Sequence, residues 1–235
     1  MAHKSLVNGT AYNVTGGKSM VSGSVYDIKS GRTLVGGTGY DIKFEEDAYA
    51  MLYSDGDFVF QRGDEVEDGK TLTKSYTGFE DKSYAYPSYV PWCYKNIKNV
   101  YFKDEISPIS LTYWFYDARN LSNFNANNLN MNKVIYMINT YHGCYNLTGS
   151  PICGENVTSM NSAYYNCYNL TGSPVCGEKV VYMNNTYYYC NNLTGSPVCG
   201  ENVTDMGYTY HGCYNLTGSP VCGEKVTSMN NTYYY

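Results

Sequence analysis

NLTGSPICGENVTSMNSAYYNCY begins at Asn146, NLTGSPVCGEKVVYMNNTYYYCN at Asn169 and NLTGSPVCGENVTDMGYTYHGCY at Asn192, and NLTGSPVCGEKVTSMNNTYYY runs from Asn215 to Tyr235. The four starts are 23 residues apart. A constant period of this size, in units too small to bury an apolar face alone, predicts a solenoid in which each unit covers its neighbour.

Two cysteine ladders share the period: Cys144, Cys167, Cys190 and Cys213, then Cys153, Cys176, Cys199 and Cys222. A residue that returns once per turn stacks on its own copies, and free cysteine packs as a small hydrophobe. Buried thiols are therefore favoured over disulfides between the ladders and over metal, for which no CxxC pair exists. Between methionine and the first-ladder cysteine the copies read INTYHG, NSAYYN, NNTYYY and GYTYHG, with NNTYYY again at the end. The fourth position is always tyrosine (Tyr141, Tyr164, Tyr187, Tyr210), which fits the buried aromatic of the turn. Gly149-Ser150-Pro151 brings proline into each unit, and proline cannot donate a ladder hydrogen bond. The strand per turn should thus be short, with Ile152, Val175, Val198, Val221 and the second cysteine ladder facing inward.

Ahead of the repeats lie three copies of a shorter unit, from Lys4, Lys18 and Arg32, with a period of 14. Each reads as two short β segments joined by a Gly-containing turn such as Val7-Asn8-Gly9-Thr10 and closed at Gly16-Gly17 or Ser30-Gly31. Such units need lateral partners, so residues 1–43 are expected to be a stalk or attachment segment of a homo-oligomer, with a trimer favoured. Residues 44–98 read as an aromatic connector or cap containing a hairpin, with strands at Ala50-Met51-Leu52-Tyr53 and Phe58-Val59-Phe60 around Ser54-Asp55-Gly56-Asp57. The acidic run Asp64-Glu65-Val66-Glu67-Asp68 lacks the ligand alternation of a calcium loop and reads as a solvated loop. Tyr76, Phe79, Tyr84, Tyr86, Tyr89, Trp92 and Tyr94 then suggest a cap on the first turn, and Asn99-Val100-Tyr101-Phe102 its first strand.

Charged residues make up 16% of the chain against 29 tyrosines, which predicts a largely uncharged, aromatic surface. Residues 1–43 hold five basic and two acidic side chains, and acid predominates over the rest. No basic stripe accompanies the tyrosines, which argues against nucleic acid as a ligand. MAHKSLVNGTAYNV has no apolar signal core, and no run approaches the roughly 18–20 apolar residues of a membrane span. Action outside a cell would then require another route, such as lysis or assembly on a particle, without membrane insertion.

Residues 106–147, ISPISLTYWFYDARNLSNFNANNLNMNKVIYMINTYHGCYNL, place Leu121, Phe124, Leu129, Val134, Met137, Tyr141 and Cys144 at offsets 0, 3, 8, 13, 16, 20 and 23. This frame resembles the BspA-like leucine-rich repeats, whose units join an aromatic, a small residue or cysteine and Leu-Thr to Asn-Val-Thr-x-Met and an aromatic again. The later units keep the frame three residues shorter between leucine and valine. The likeness covers about residues 99–235 and implies a mainly β, leucine-rich-repeat-type solenoid. The N-terminal copies and SDGDFVFQRGD resemble segments of tail-associated proteins from phages and prophages of gut Firmicutes.

Around the invariant tyrosine the neighbours vary among Tyr, His, Asn, Gly and Ser, the residue types of adaptable binding surfaces. Tyr165, Tyr188, Tyr189, Tyr208, His211 and Tyr234 form the candidate ligand surface, an aromatic strip suited to sugar rings. The competing reading is a set of ladders that stabilise stacking. The Asn-x-Thr triplets at Asn146, Asn156, Asn169, Asn192, Asn202 and Asn215 fit glycosylation acceptors, but ladders and turn bonds explain them better. No nucleophile, acid and base constellation, metal cluster or cofactor fingerprint emerges, so no enzyme and no cofactor are expected. The resulting expectation is a structural or receptor-binding component of a phage or phage-like particle, located on the virion. It would contact other particle subunits and recognise bacterial surface glycan or protein. A bacterial surface adhesin and a purely structural fibre or decoration protein are the alternatives. The chain stops one residue before the next expected cysteine, which suggests either a fragment or a covering subunit and marks Tyr233-Tyr234-Tyr235 as a candidate contact.

Overall fold

The computed structural model describes residues 46–218 and 222–234 with their side chains and, before them, the backbones of six strands between residues 3 and 43. The protein is mainly β, with one turn of 3-10 helix at Pro87–Tyr89 among the described residues. It divides into two compact units, Met1–Glu46 and Asp47–Tyr235.

In the first unit each 14-residue copy forms one antiparallel hairpin. β1 (His3–Val7) pairs with β2 (Thr10–Val14), β3 (Lys18–Val21) with β4 (Ser24–Asp27), and β5 (Ser30–Val35) with β6 (Thr38–Lys43). Ser30 and Gly31, expected as a turn, instead open β5, with Gly31 opposite Ile42. The other turn residues, Asn8, Gly9, Gly16 and Gly17, lie outside the described residues. So do the side chains of residues 1–45, on which the expected trimeric stalk depends.

The second unit starts with a five-stranded mixed sheet in the order β11-β10-β8-β7-β9. β7 (Ala48–Tyr53) and β8 (Asp57–Arg62) make the expected hairpin, and β9 (Leu72–Thr77) flanks it. β10 (Asn99–Phe102) lies parallel to β8 on one side and to β11 (Asn123–Asn125) on the other. β10 therefore joins the hairpin to the repeats, and the stretches 44–98 and 99–235, expected as successive parts, fold together from Asp47 onward. Alternation puts Ala50, Leu52, Phe58 and Phe60 into the main core and Met51, Tyr53 and Val59 into a second cluster. Phe60 stacks on Phe102 and Trp114, while Trp92 meets Phe58, Phe60 and Phe79 and donates from Nε1 to the Trp114 carbonyl at 2.7 Å. The expected aromatic cap is thus partly interior: Phe79, Tyr84 and Trp92 are buried, whereas Tyr86, Tyr89 and Tyr94 are exposed. Glu80 takes a bidentate grip from Arg62, and the acidic run is solvated apart from Glu67, which pairs with Lys70.

Beyond the sheet, successive units stack. Single parallel bridges join Ser110 to Tyr136, then Tyr136 to Ser159, Tyr182, Asp205 and Ser228 in series. In units that have a successor, the backbone around the invariant tyrosine is paired by alternating bonds. Met137, Asn139, Tyr141 and Gly143 donate to carbonyls of the next unit at 2.8–3.0 Å, while Thr140, His142 and Cys144 donate to carbonyls three residues back. This alternation needs left-handed backbone at the second and sixth residues after methionine. Asn139, Ser162, Asn185, Tyr208 and Asn231 hold the second position, and Gly143, Asn166, Tyr189 and Gly212 the sixth; of these, Gly and Asn reach φ near +60° at the lowest cost.

Val134, Met137, Tyr141, Cys144 and Leu147 and their 23-residue successors through the unit of Val203 fill the interior, except that Leu216 is only partly buried. Each first-ladder thiol donates to the carbonyl of the preceding unit's aromatic: Cys144 to Phe115, Cys167 to Tyr141, Cys190 to Tyr164 and Cys213 to Tyr187, at 2.9–3.1 Å.

The Ser-Pro segment departs from the expectation. Pro151, Pro174 and Pro197 are the buried residues there, whereas Ile152, Val175 and Val198 are half-buried and Val221 lies outside the described residues. The buried tyrosines hold these residues. Tyr164 Oη donates to the Ile152 carbonyl and accepts from the Ile152 amide, both at 2.8 Å; Tyr187 does the same with Val175, and Tyr210 with Val198. One hydroxyl supplies the two backbone bonds that a strand partner would have supplied.

The second cysteine ladder is not a buried one either: Cys153, Cys176 and Cys199 are half-buried and Cys222 is exposed. Burial raises the thiol pKa of Cys153 to about 11 and of Cys176 to about 12. Because the thiolate is the reactive form, aromatic disulfide reagent at pH 8 should label Cys222 first, these two slowly, and the first ladder only on unfolding. Counting labelled sites by mass spectrometry checks the order.

Candidate functional site

The side chain after the invariant tyrosine points outward, and its ring lies over the equivalent ring of the next unit. Tyr116, His142, Tyr165, Tyr188, His211 and Tyr234 form one column with centroids 4.8, 4.5, 4.5, 4.7 and 5.1 Å apart and planes within 20° of parallel. An inner column of Phe115, Tyr141, Tyr164, Tyr187, Tyr210 and Tyr233 runs beside it at 5.1–5.7 Å.

Four of the sequence-selected residues, Tyr165, Tyr188, His211 and Tyr234, therefore belong to a single column. Its geometry corrects the sugar platform expected there. Stacking covers both faces of Tyr165, Tyr188 and His211, so only ring edges and hydroxyls meet solvent, and Tyr234 alone is largely exposed. Tyr189 and Tyr208 stand beside the column. Tyr189 packs edge-on against Tyr188 at 4.7 Å and His211 at 5.4 Å, and the exposed Tyr208 tilts against the same two rings at 6.3 and 5.8 Å. Tyr188, Tyr189, Tyr208 and His211 thus make a four-ring cluster spanning two units.

Both flanking tyrosines have left-handed backbone, with φ of 55° at Tyr189 and 58° at Tyr208. They occupy the two positions that the neighbouring 23-residue copies give to Asn, Ser or Gly and that the unit of Phe115 gives to Tyr113 and Asp117, left-handed at φ of 61° and 56°. A Cβ on Gly212 would fall inside the Tyr189 ring, so that glycine is the floor on which Tyr189 lies. Two members of the column, Tyr116 and His142, were not selected from the sequence. The 26-residue spacing from Tyr116 to His142, the same as from Phe115 to Tyr141, was the available pointer to them.

No protein-family model, curated protein or solved structure matches this chain.

The site is electrostatically quiet. Desolvation raises the phenol of Tyr188, which stays a neutral donor, and burial lowers the His142 pKa despite Asp117 nearby, so that imidazole is neutral at pH 7. No group of three or more His, Cys, Asp or Glu side chains poised for a metal occurs among the described residues. The triplet asparagines are tied into the stack. Asn146, Asn156, Asn202 and Asn215 donate from Nδ2 to carbonyls of the preceding unit, and Asn192 reaches Asn169 Oδ1 at 3.5 Å. What the surface offers is rigid aromatic edges, phenol hydroxyls and amides.

Proposed function

We propose that the repeats form a leucine-rich-repeat-type solenoid of the BspA-like kind, and that the chain is a non-enzymatic, receptor-binding and structural component of a phage or phage-like particle. Its target is bacterial surface glycan or protein, met by the cluster of Tyr188, Tyr189, Tyr208 and His211. The left-handed backbone of Tyr189 and Tyr208 carries this reading. Most side chains with a Cβ cost about 1–2 kcal/mol in that conformation, whereas Gly adopts it freely and Asn tolerates it better than Tyr does. The same strain recurs at Tyr94 and Tyr113, which meet Tyr116 edge-on, and left-handed tyrosines that put two more rings beside the column at two places favour selection for contact.

The test is a Tyr189→Asn, Tyr208→Asn double variant assayed on whole bacterial cells and a glycan array. Stability should stay the same or rise by about 1 kcal/mol, while binding falls at least tenfold. Undiminished binding by a well-folded double variant would sink the reading. One observation favours the purely structural alternative: the column spends its ring faces on itself. That alternative predicts no binding by the parent chain to any cell or glycan.

The first unit fits an assembly role. Its hairpins are separate two-stranded sheets, and such pairs are marginal in water without partners. A homotrimer is the expected state, and light scattering of the intact chain that returned a monomer mass would count decisively against it.

A further inference from the structure

The residue after each first-ladder cysteine starts a second outer column, Tyr145, Tyr168, Asn191 and Tyr214, which continues the register of Arg119. The Arg119 guanidinium lies 5.4 Å from the Tyr145 centroid, and Tyr145 stacks on Tyr168 at 5.2 Å with planes 17° apart. At the next level the ring is missing. In the orientation that satisfies its amide, Asn191 donates to the Gly212 carbonyl at 2.8 Å and the Tyr189 carbonyl at 3.1 Å, which turns its side chain against the backbone. One level further on, Tyr214 is 57% exposed and has no ring neighbour among the described residues.

Tyr168 and Tyr214 are thus two levels apart, about 9–10 Å at the usual spacing of paired strands. One face of Tyr168 is covered by Tyr145, and no ring among the described residues stacks on the other, the side on which the next levels of the column lie. A gap of that height admits one ring at about 4.5–5 Å from each wall, the spacing the protein uses between Tyr165 and Tyr188 (4.5 Å). Its border is polar and uncharged. The next residue in every unit is an exposed asparagine (Asn120, Asn146, Asn169, Asn192, Asn215), and where Nδ2 bonds the preceding backbone, as in Asn146 and Asn215, the amide oxygen remains an acceptor. Arg119 is the column's charged member and sits beyond Tyr145, so nothing at the gap selects a phosphate or carboxylate.

We propose that the gap between Tyr168 and Tyr214 is a subsite for one neutral pyranose ring, sandwiched by the two tyrosines with its hydroxyls on the amides of Asn169, Asn192 and Asn215. This rests on the reading of the chain as a glycan-binding protein and moves the sugar from the closed column to the place where ring faces are open.

The experiment is saturation-transfer NMR of the intact chain with the methyl β-glycosides of glucose, galactose and N-acetylglucosamine, and with p-cresol as an aromatic probe. At least one glycoside should receive saturation. Asn191→Tyr, which completes the column with the residue its neighbours carry, should weaken that signal at least tenfold without lowering the melting temperature. Tyr214→Leu, at an exposed position, should weaken it similarly by removing one wall. Unchanged glycoside binding by either variant overturns the proposal, as does transfer to p-cresol alone, which would mark the gap as a seat for an aromatic side chain. A parent chain that binds bacterial cells through Tyr189 and Tyr208 but saturates none of the glycosides loses this subsite while keeping the broader function. A parent chain that binds neither loses both.

Discussion

Tyr187→Phe should lower the stability of the repeat unit by about 2–3 kcal/mol, whereas Tyr141→Phe should change it by less than about 0.5 kcal/mol, although both tyrosines are buried in the same column. The difference lies in one oxygen. Tyr187 Oη donates to the Val175 carbonyl at 2.7 Å and accepts from the Val175 amide at 3.0 Å, and removing it leaves two backbone groups unpaired beside the core. Tyr141 Oη is buried without a hydrogen-bond partner, because the longer unit before it has no Ser-Pro segment. That unit places β11 and Phe124 there instead, and Phe124 meets the Tyr141 ring edge-on at 5.2 Å. Urea unfolding of the two variants beside the parent chain measures the contrast. Equal losses would mean that the ring, and not the hydroxyl, holds the Pro-Val segment.

Gly212→Ala is expected to cost about 2–4 kcal/mol, from left-handed strain and from displacement of the Tyr189 ring. In a Tyr189→Ala background the same change should cost only the backbone part, about 1–2 kcal/mol. A double-mutant cycle by thermal unfolding reads the coupling directly. Full additivity would show that Tyr189 does not rest on Gly212, and the four-ring cluster would lose its floor. If the coupling holds, Gly212→Ala should also weaken target binding, since it moves a ring of the cluster without deleting it.

The 23-residue copies made much of the interior legible. Positions that never vary, Val, Met, Tyr and the first cysteine, are ones whose side chains pack against the neighbouring units, so any change there is felt in more than one unit. The second cysteine ladder was just as invariant, yet it is half-buried to exposed, so invariance among copies marked the frame and not the depth of each side chain. Proline in the Ser-Pro segment correctly ruled out an ordinary strand, but its own burial and its rescue by a tyrosine hydroxyl twelve residues on were not visible. That bond depends on where a turn brings the ring.

Sequence by itself determined the period, the mainly β class, the hairpin at Tyr53 and Asp57, and, within the 23-residue copies, the rings that stand outside the invariant tyrosine, because burial and exposure recur with the chain's own spacing. Only the tertiary structure decided which ring faces remain free. Units lying one strand spacing apart bring rings within stacking distance, so Tyr165, Tyr188 and His211 are closed. At Tyr189 and Tyr208 left-handed backbone swings the ring aside, and at Asn191 an absent ring leaves a gap. These outcomes depend on distances between units and on single φ angles, which no local stretch of residues encodes.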